Sequence, residues 1–139
     1  MKPHTLKTLR QIRLRAQDHA LQNWSDAQAQ TARHQHLAQQ LGQARSGAAA
    51  PDGATASARE LSLRQGFAHR LDAVAVQAHA RVQQARQHED VQQREFQEAR
   101  REMLILDTLE ERERRRMEEW QRQQEQQMLE EFVSARHGR

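Results

Sequence analysis

From Ser57 to about Arg136 the chain contains no proline and a single glycine, Gly66; its two prolines are Pro3 and Pro51. Proline removes an amide donor and clashes with the preceding turn, so a run without it is free to form one continuous helix. At 1.5 Å per residue such a helix would be roughly 120 Å long. A first helix ending before Pro51 reaches only about 60 Å. Two antiparallel helices so mismatched leave part of the longer one without an intramolecular partner.

The 139 residues suffice for one domain at most. They are 36% hydrophobic, 4% aromatic and 29% charged, with a mean hydropathy of −1.09. Many of the apolar residues are alanines. Without large apolar side chains, burial cannot offset the entropy of ordering a globular chain. The choice narrows to disorder or an extended coiled coil. Disordered chains favour proline, glycine and serine. Here the filler is Ala, Gln, Arg, Glu and Leu, all good helix formers, and the coiled coil is expected. The chain has no cysteine, which fits a reducing compartment. The basic start MKPHTLKTLRQIRLR lacks an apolar core of signal-peptide length. The longest apolar run, Met103-Leu104-Ile105-Leu106, falls far short of the ~18 residues of a membrane span. A soluble cytoplasmic protein is expected.

Helix 1 is predicted over about residues 5–45, with Thr5 as N-cap. Its apolar stripe is ragged: Leu6, Leu9, Ile12, Leu14, Ala20, Leu21, Trp24, Ala27, Ala38 and Leu41, interrupted by Thr31, His34 and Gln35. Gly42 and Gly47 should weaken its end. Residues 46–57 read as a turn around Pro51-Asp52-Gly53. Ser57-Ala-Arg-Glu60 fits a capping box that opens helix 2, over about 58–136. Helix 2 carries the better repeat. Phe67, Leu71, Val74, Ala78, Val82 and Ala85, then Gln92, Phe96, Ala99, Met103 and Leu106, then Met117, Trp120 and Gln124 alternate by three and four, with a slip between Val74 and Val82. The fold class is therefore all-α: a two-helix antiparallel coiled-coil hairpin with unequal arms, forming a single domain over 1–139.

Charge supports antiparallel pairing. Residues 1–59 hold eight Lys/Arg against three Asp, net +5, while the remainder holds fourteen against sixteen acidic residues, net −2. If Arg45 and Ser57 flank the turn, facing residue numbers add to about 102. Leu41 then meets Leu61, Trp24 meets Ala78, and Leu21 meets Val82. Lys7, Arg10 and Arg13 fall beside Glu89, Asp90, Glu95 and Glu98. On this register helix 1 runs out near residue 97. The stretch beyond it, to about Arg136, carries Met103, Leu104, Ile105, Leu106, Leu109, Met117, Trp120, Met128, Leu129 and Phe132. An exposed apolar stripe of this kind marks an interface. Pairs such as Glu110–Arg114, Glu111–Arg115 and Glu118–Arg122 stand at i,i+4 and help the lone helix persist.

These residues resemble the FliJ/YscO family, the central stalk proteins of bacterial type III secretion. The matching pieces are Thr5-Leu6-Lys7-Thr8-Leu9 at the start and Gln124-Glu-Gln-Gln-Met128-Leu-Glu-Glu-Phe132 at the end. The plan of shorter helix, turn and longer helix covers nearly the whole chain. The resemblance implies a shaft like that of rotary ATPases, seated in a hexameric secretion ATPase and linking it to the membrane export gate. It also implies contact with export chaperones. The paired helix ends would face the ATPase, and the tip, near Gly42 to Arg59, the gate.

Other chemistries find little support. His34 and His36 lie two apart, on different helix faces, and no H-E-x-x-H or i,i+4 histidine pair exists, so no metal is expected. Carboxylates are abundant, yet a hairpin encloses no pocket to perturb them, and no glycine-rich phosphate loop occurs. Neither enzyme activity nor a cofactor is expected. Lys7, Arg10, Arg13 and Arg15 could track nucleic-acid phosphates, but acidic neighbours are available to them and no aromatic residues interleave. Trp24 reads as a seam filler and Trp120 as either a seam residue or a binding anchor.

The leading expectation is a non-enzymatic stalk of an export apparatus. The alternatives are a homodimeric coiled-coil adaptor and a basic-helix nucleic-acid binder. Partner contact is expected at Met103, Leu106, Arg112, Arg114, Arg115, Arg116, Trp120, Met128 and Phe132. The charged residues, with Glu118 and Glu119, would give the reversible polar contacts that an asymmetric shaft needs inside a symmetric ring.

Overall fold

Pro3 opens the first helix. Its fixed φ suits the first helical position, and its missing amide costs nothing there. The Lys2 carbonyl accepts from the Thr5 and Leu6 amides at 3.0 and 3.2 Å. Lys2 is thus the cap, and Thr5, expected in that role, lies inside the helix. A computed structural model describes residues 2–49 and 57–138, with α1 over Pro3–Ala49 and α2 over Ala58–His137. No strand occurs among the described residues. α1 passes through Gly42 and Gly47, both exposed with open space around them. Each glycine costs the helix about 1 kcal/mol. The good helix formers beside them (Leu41, Gln43, Ala44, Arg45) carry the helix through. Of the expected turn, residues 50–56 lie outside the described residues.

The capping box is realised in its first half. The Ser57 hydroxyl accepts from the Glu60 amide at 3.2 Å, and the Ser57 carbonyl accepts from the Leu61 amide at 3.0 Å. From there α2 continues for 80 residues against 47 in α1. At its far end the Gly138 amide donates to the Ser134 carbonyl at 2.9 Å.

The chain divides into two units, Met1–Gln17 with Glu98–Arg139, and Asp18–Gln97. In the first, Arg10 Nη1 reaches Asp107 Oδ1 at 2.6 Å and Glu110 Oε2 at 2.8 Å, and Arg13 bonds Glu102. Rising numbers on α1 meet falling numbers on α2, so the helices are antiparallel. Leu6, Met103 and Leu106 are buried there. In the second unit Trp24 stacks on Phe96, and Arg45 Nε meets Asp72 Oδ1 at 2.6 Å. Ala20, Ala27, Thr31, Ala78, Val82 and Ala85 form its core. Trp24 Nε1 is buried with no partner. The Thr31 hydroxyl is satisfied by the Ala27 carbonyl at 3.0 Å, which lets a polar residue occupy the core.

Burial follows an unbroken heptad pattern on each helix. The seam positions of α1 are Leu6, Arg10, Arg13, Gln17, Ala20, Trp24, Ala27, Thr31, His34, Ala38, Leu41 and Arg45, with Leu9 and Asn23 half-buried beside them. Those of α2 step from Leu71 and Ala75 through Ala78, Val82, Ala85, Glu89, Gln92, Phe96, Ala99, Met103 and Leu106 to Glu110 and Glu113, with Gln93, Glu102, Glu111 and Glu118 among the half-buried flanking residues. Both series alternate strictly by four and three, the spacing of a left-handed coiled coil. The expected slip between Val74 and Val82 is absent. Ala75 is the seam residue, and the larger Val74 faces outward at 45% exposure. Likewise Ile12, Leu14 and Leu21 are exposed, while Arg10 and Arg13 take seam positions.

The expected register is corrected by about two heptads. Arg10 sits at Asp107 and Glu110, not near Gln92, and Arg45 at Asp72, not beside Ser57. The two heptad series then align with Leu6 level with Glu110, Arg10 with Leu106 and Arg13 with Met103. In the other unit Trp24 is level with Gln92, Ala27 with Glu89, Thr31 with Ala85, Ala38 with Ala78 and Leu41 with Ala75. A turn placed symmetrically about Pro51 gave the other register. In the structure the first turns of α2 run past the end of α1, and Leu61, Leu63 and Phe67 stay at least half exposed.

Candidate functional site

The site begins where α1 stops covering α2. With Leu6 level with Glu110, Pro3 is level with about Glu113. Every described residue from Glu119 to Gly138 is exposed. This free arm is about half the length expected, because the true register carries α1 further along α2. It still presents Trp120 at 53%, Met128 at 68% and Phe132 at 64% exposure. Met128 and Phe132 stand at i,i+4, as do Leu129 and Val133, so all four line the distal arm as adjoining pairs on neighbouring faces. Sequence reasoning left Val133 out, although its spacing from Leu129 was the available signal. A shallow notch lined by Arg116, Met117, Glu119, Trp120 and Gln123 lies nearer the covered part.

Between the covered and free parts runs a belt of charge. Arg114 is its hub. It grips Glu111 through two bonds, at 2.5 and 3.0 Å, and reaches Glu118 at 2.5 Å. Arg115 adds a contact to Glu111 at 3.1 Å, and Arg116 approaches Glu113 at 3.6 Å. The Arg114 guanidinium, donating to Glu111, holds that carboxyl below the usual carboxylate range. Glu111 in turn, with help from Glu118, raises Arg114. Arg112 has no ion pair among the described residues. The expected Glu111–Arg115 pair is present, but Glu110 is taken by Arg10. The belt thus offers Arg112 fully and Arg115 and Arg116, at 75% and 78% side-chain exposure, with one weak tie each.

Of the expected contact residues, Arg112, Arg114, Arg115, Arg116, Trp120, Met128 and Phe132 lie on exposed surface. Met103 and Leu106 do not. They are 7% and 3% exposed, in the seam level with Arg13 and Arg10. They belong to the core of the hairpin. The two residues between them, Leu104 and Ile105, face outward at 58% and 54%. Among the described residues no group of His, Cys, Asp or Glu is placed to hold a metal, and no helix is long and apolar enough to cross a membrane.

A family model described as flagellar FliJ protein matches residues 1–139. The chain belongs to the FliJ family. No curated protein and no solved structure matches it significantly. Membership over the full sequence gives the unequal hairpin a context in flagellar export.

Proposed function

We propose that this chain is the non-enzymatic central stalk of a type III protein export apparatus, coupling a hexameric export ATPase to the cytoplasmic part of the membrane export gate. The observation that carries the reading is the bare arm, Glu119 to Gly138, on a chain whose whole length matches the FliJ model. A helix with four large apolar residues at its distal end gains little by standing alone in water. A ring that encloses it would cover that edge. The belt ahead of it supplies polar contacts from Arg112, Arg115 and Arg116. Such contacts break and re-form cheaply, because exposed ion pairs each contribute little. A shaft without rotational symmetry needs that property inside a symmetric ring. Export chaperones are a further partner class for the same apolar edge.

The test is ATP hydrolysis by the cognate ring-forming export ATPase with and without the protein. The doubly reversed variant Arg115→Glu, Arg116→Glu should lose most of the stimulation, since it inverts the two best-exposed belt charges. Unchanged stimulation would refute the assignment of the belt. A stable dimer in which the arms bury each other would favour the adaptor reading, and native mass measurement separates the two.

A further inference from the structure

We infer that one side of the first unit, Met1–Gln17 with Glu98–Arg139, is a self-association face that a second copy of this chain covers in antiparallel orientation. Leu9 and Ile12 flank the seam residue Arg10, while Ile105 stands two after Met103 and Leu109 one before Glu110. In an antiparallel two-stranded coil these heptad positions of both helices run along one edge. Because Arg10 bonds Asp107 and Glu110, the four residues lie at the same level. They gather into one aliphatic patch about two turns long. Ile12 and Ile105 are more than half exposed, Leu109 is 38% exposed and Leu9 half-buried. The patch is part of neither the free arm nor the charge belt, and the inference does not depend on what the arm binds.

The choice of a second copy rests on the charges at the two ends of the patch. One heptad before Ile105 and Leu109 stand Glu98 and Glu102, and one heptad after them stand Arg112 and Arg116. This edge of α2 therefore runs acidic, aliphatic, basic. Turned end for end, it is its own complement. A two-fold axis level with Asp107 sets Ile105 against Leu109 of the second copy, Glu102 against Arg112 and Glu98 against Arg116, and each pairing occurs twice. On α1 the same axis passes Leu9, which meets its own counterpart, and Ile12 comes beside Thr5. The charges are available for this. Glu98 and Arg112 have no ion pair among the described residues. Arg116 only approaches Glu113, at 3.6 Å, and Glu102 shares an exposed pair with Arg13. A partner helix of one sign would be repelled at one end, and a copy laid parallel at both. Four aliphatic side chains bury less than the ~800 Å² that each side of a standard interface covers. Association is therefore reversible, with a dissociation constant of about 10–100 µM.

Sedimentation equilibrium of the full-length chain, at concentrations on both sides of that constant, should show monomer and dimer in exchange. Ile105→Ser should weaken the dimer about tenfold or more, with helical melting unchanged because Ile105 is exposed. Met128→Ser with Phe132→Ser, on the free arm, should leave it as it is. Glu98→Arg and Arg116→Glu should each weaken it severalfold, since each sets like charges opposite one another. An equimolar mixture of the two should recover the affinity of the parent as a heterodimer, an exchange that only antiparallel pairing allows. A chain that stays monomeric at the highest concentration overturns the inference. So does a dimer that the arm variant dissolves and Ile105→Ser spares, or a charge mixture that associates no better than either variant alone.

Discussion

Trp24 lies against Phe96 with ring centroids 5.5 Å apart and planes 25° from parallel. Among the described residues it is the one aromatic pair, in a seam where alanine is frequent, and it anchors its part of the hairpin. Truncating either ring should cost about 1.5–3 kcal/mol, at the low end for large-to-small changes because both are half-buried. A double-mutant cycle should return a coupling of about 1 kcal/mol. Trp24→Phe should cost less than Trp24→Ala, since it keeps the ring and removes a buried donor that has no partner. Urea unfolding followed by circular dichroism measures all three.

Leu106 and Phe132 should behave oppositely, although both are large apolar residues of α2. Leu106 is 3% exposed and Phe132 64%. Leu106→Ala should lower stability by about 2–4 kcal/mol. Phe132→Ala should leave it within about 0.5 kcal/mol, while weakening stimulation of the export ATPase. A Phe132→Ala variant that stimulates as well as the original would remove the distal arm from the contact surface.

The legible part of this fold was its period, and the illegible part was its phase. Proline placement and the Ser57 box located both helices, and family membership was readable from the two ends. Register was not, because apolar size misled. Val74 outweighs Ala75 in any count of hydrophobicity, and Ile12 outweighs Arg13, yet the smaller or charged residue occupies the seam in each case. A narrow seam accepts alanine and the aliphatic stems of arginine, and cross-strand ion pairs then decide which turn meets which. Thr31 looked like an interruption because its bond to the Ala27 carbonyl is invisible in a hydropathy pattern. Misplacing the register put Met103 and Leu106 on the free arm. The expected contact residues from Arg114 onward kept their exposure because they lie past α1 in either register.

Acid should loosen the charge belt. The folded pKa of Glu111 is depressed by Arg114, so its contribution is fully present above the ordinary carboxylate value and is lost as pH falls through the folded value. Helical signal at 222 nm should decline in that acidic window, and amide exchange should quicken around Glu111 to Glu118. Glu111→Gln should flatten this dependence. An unaltered acid profile in the variant would show that the belt contributes nothing to the order of the arm.

Ser57→Ala removes the acceptor for the Glu60 amide. Loss of an N-cap ordinarily costs about 1 kcal/mol. Here the effect should stay local. The first turn of α2 is exposed, and α1 does not reach it in the observed register. The helix can fray there without disturbing the heptad seam. Global stability should therefore change by less than about 0.5 kcal/mol, while amides near Glu60 and Leu61 exchange about five-fold faster.

Arg13 offers the sharpest separation of charge from packing. It sits in the seam level with Met103 and bonds Glu102, with both side chains 41% exposed. An exposed pair of this kind is worth about 0–1 kcal/mol. Arg13→Leu loses that increment and gains apolar contact with Met103, so its melting temperature should equal or exceed the parent's. Arg13→Glu keeps a stem in the seam but places like charge against Glu102. It should melt lower at low salt and recover most of the deficit near 1 M salt, where the screening length is about 3 Å. A deficit that ignores salt would mean that the arginine stem, rather than its charge, holds this end of α1 in place.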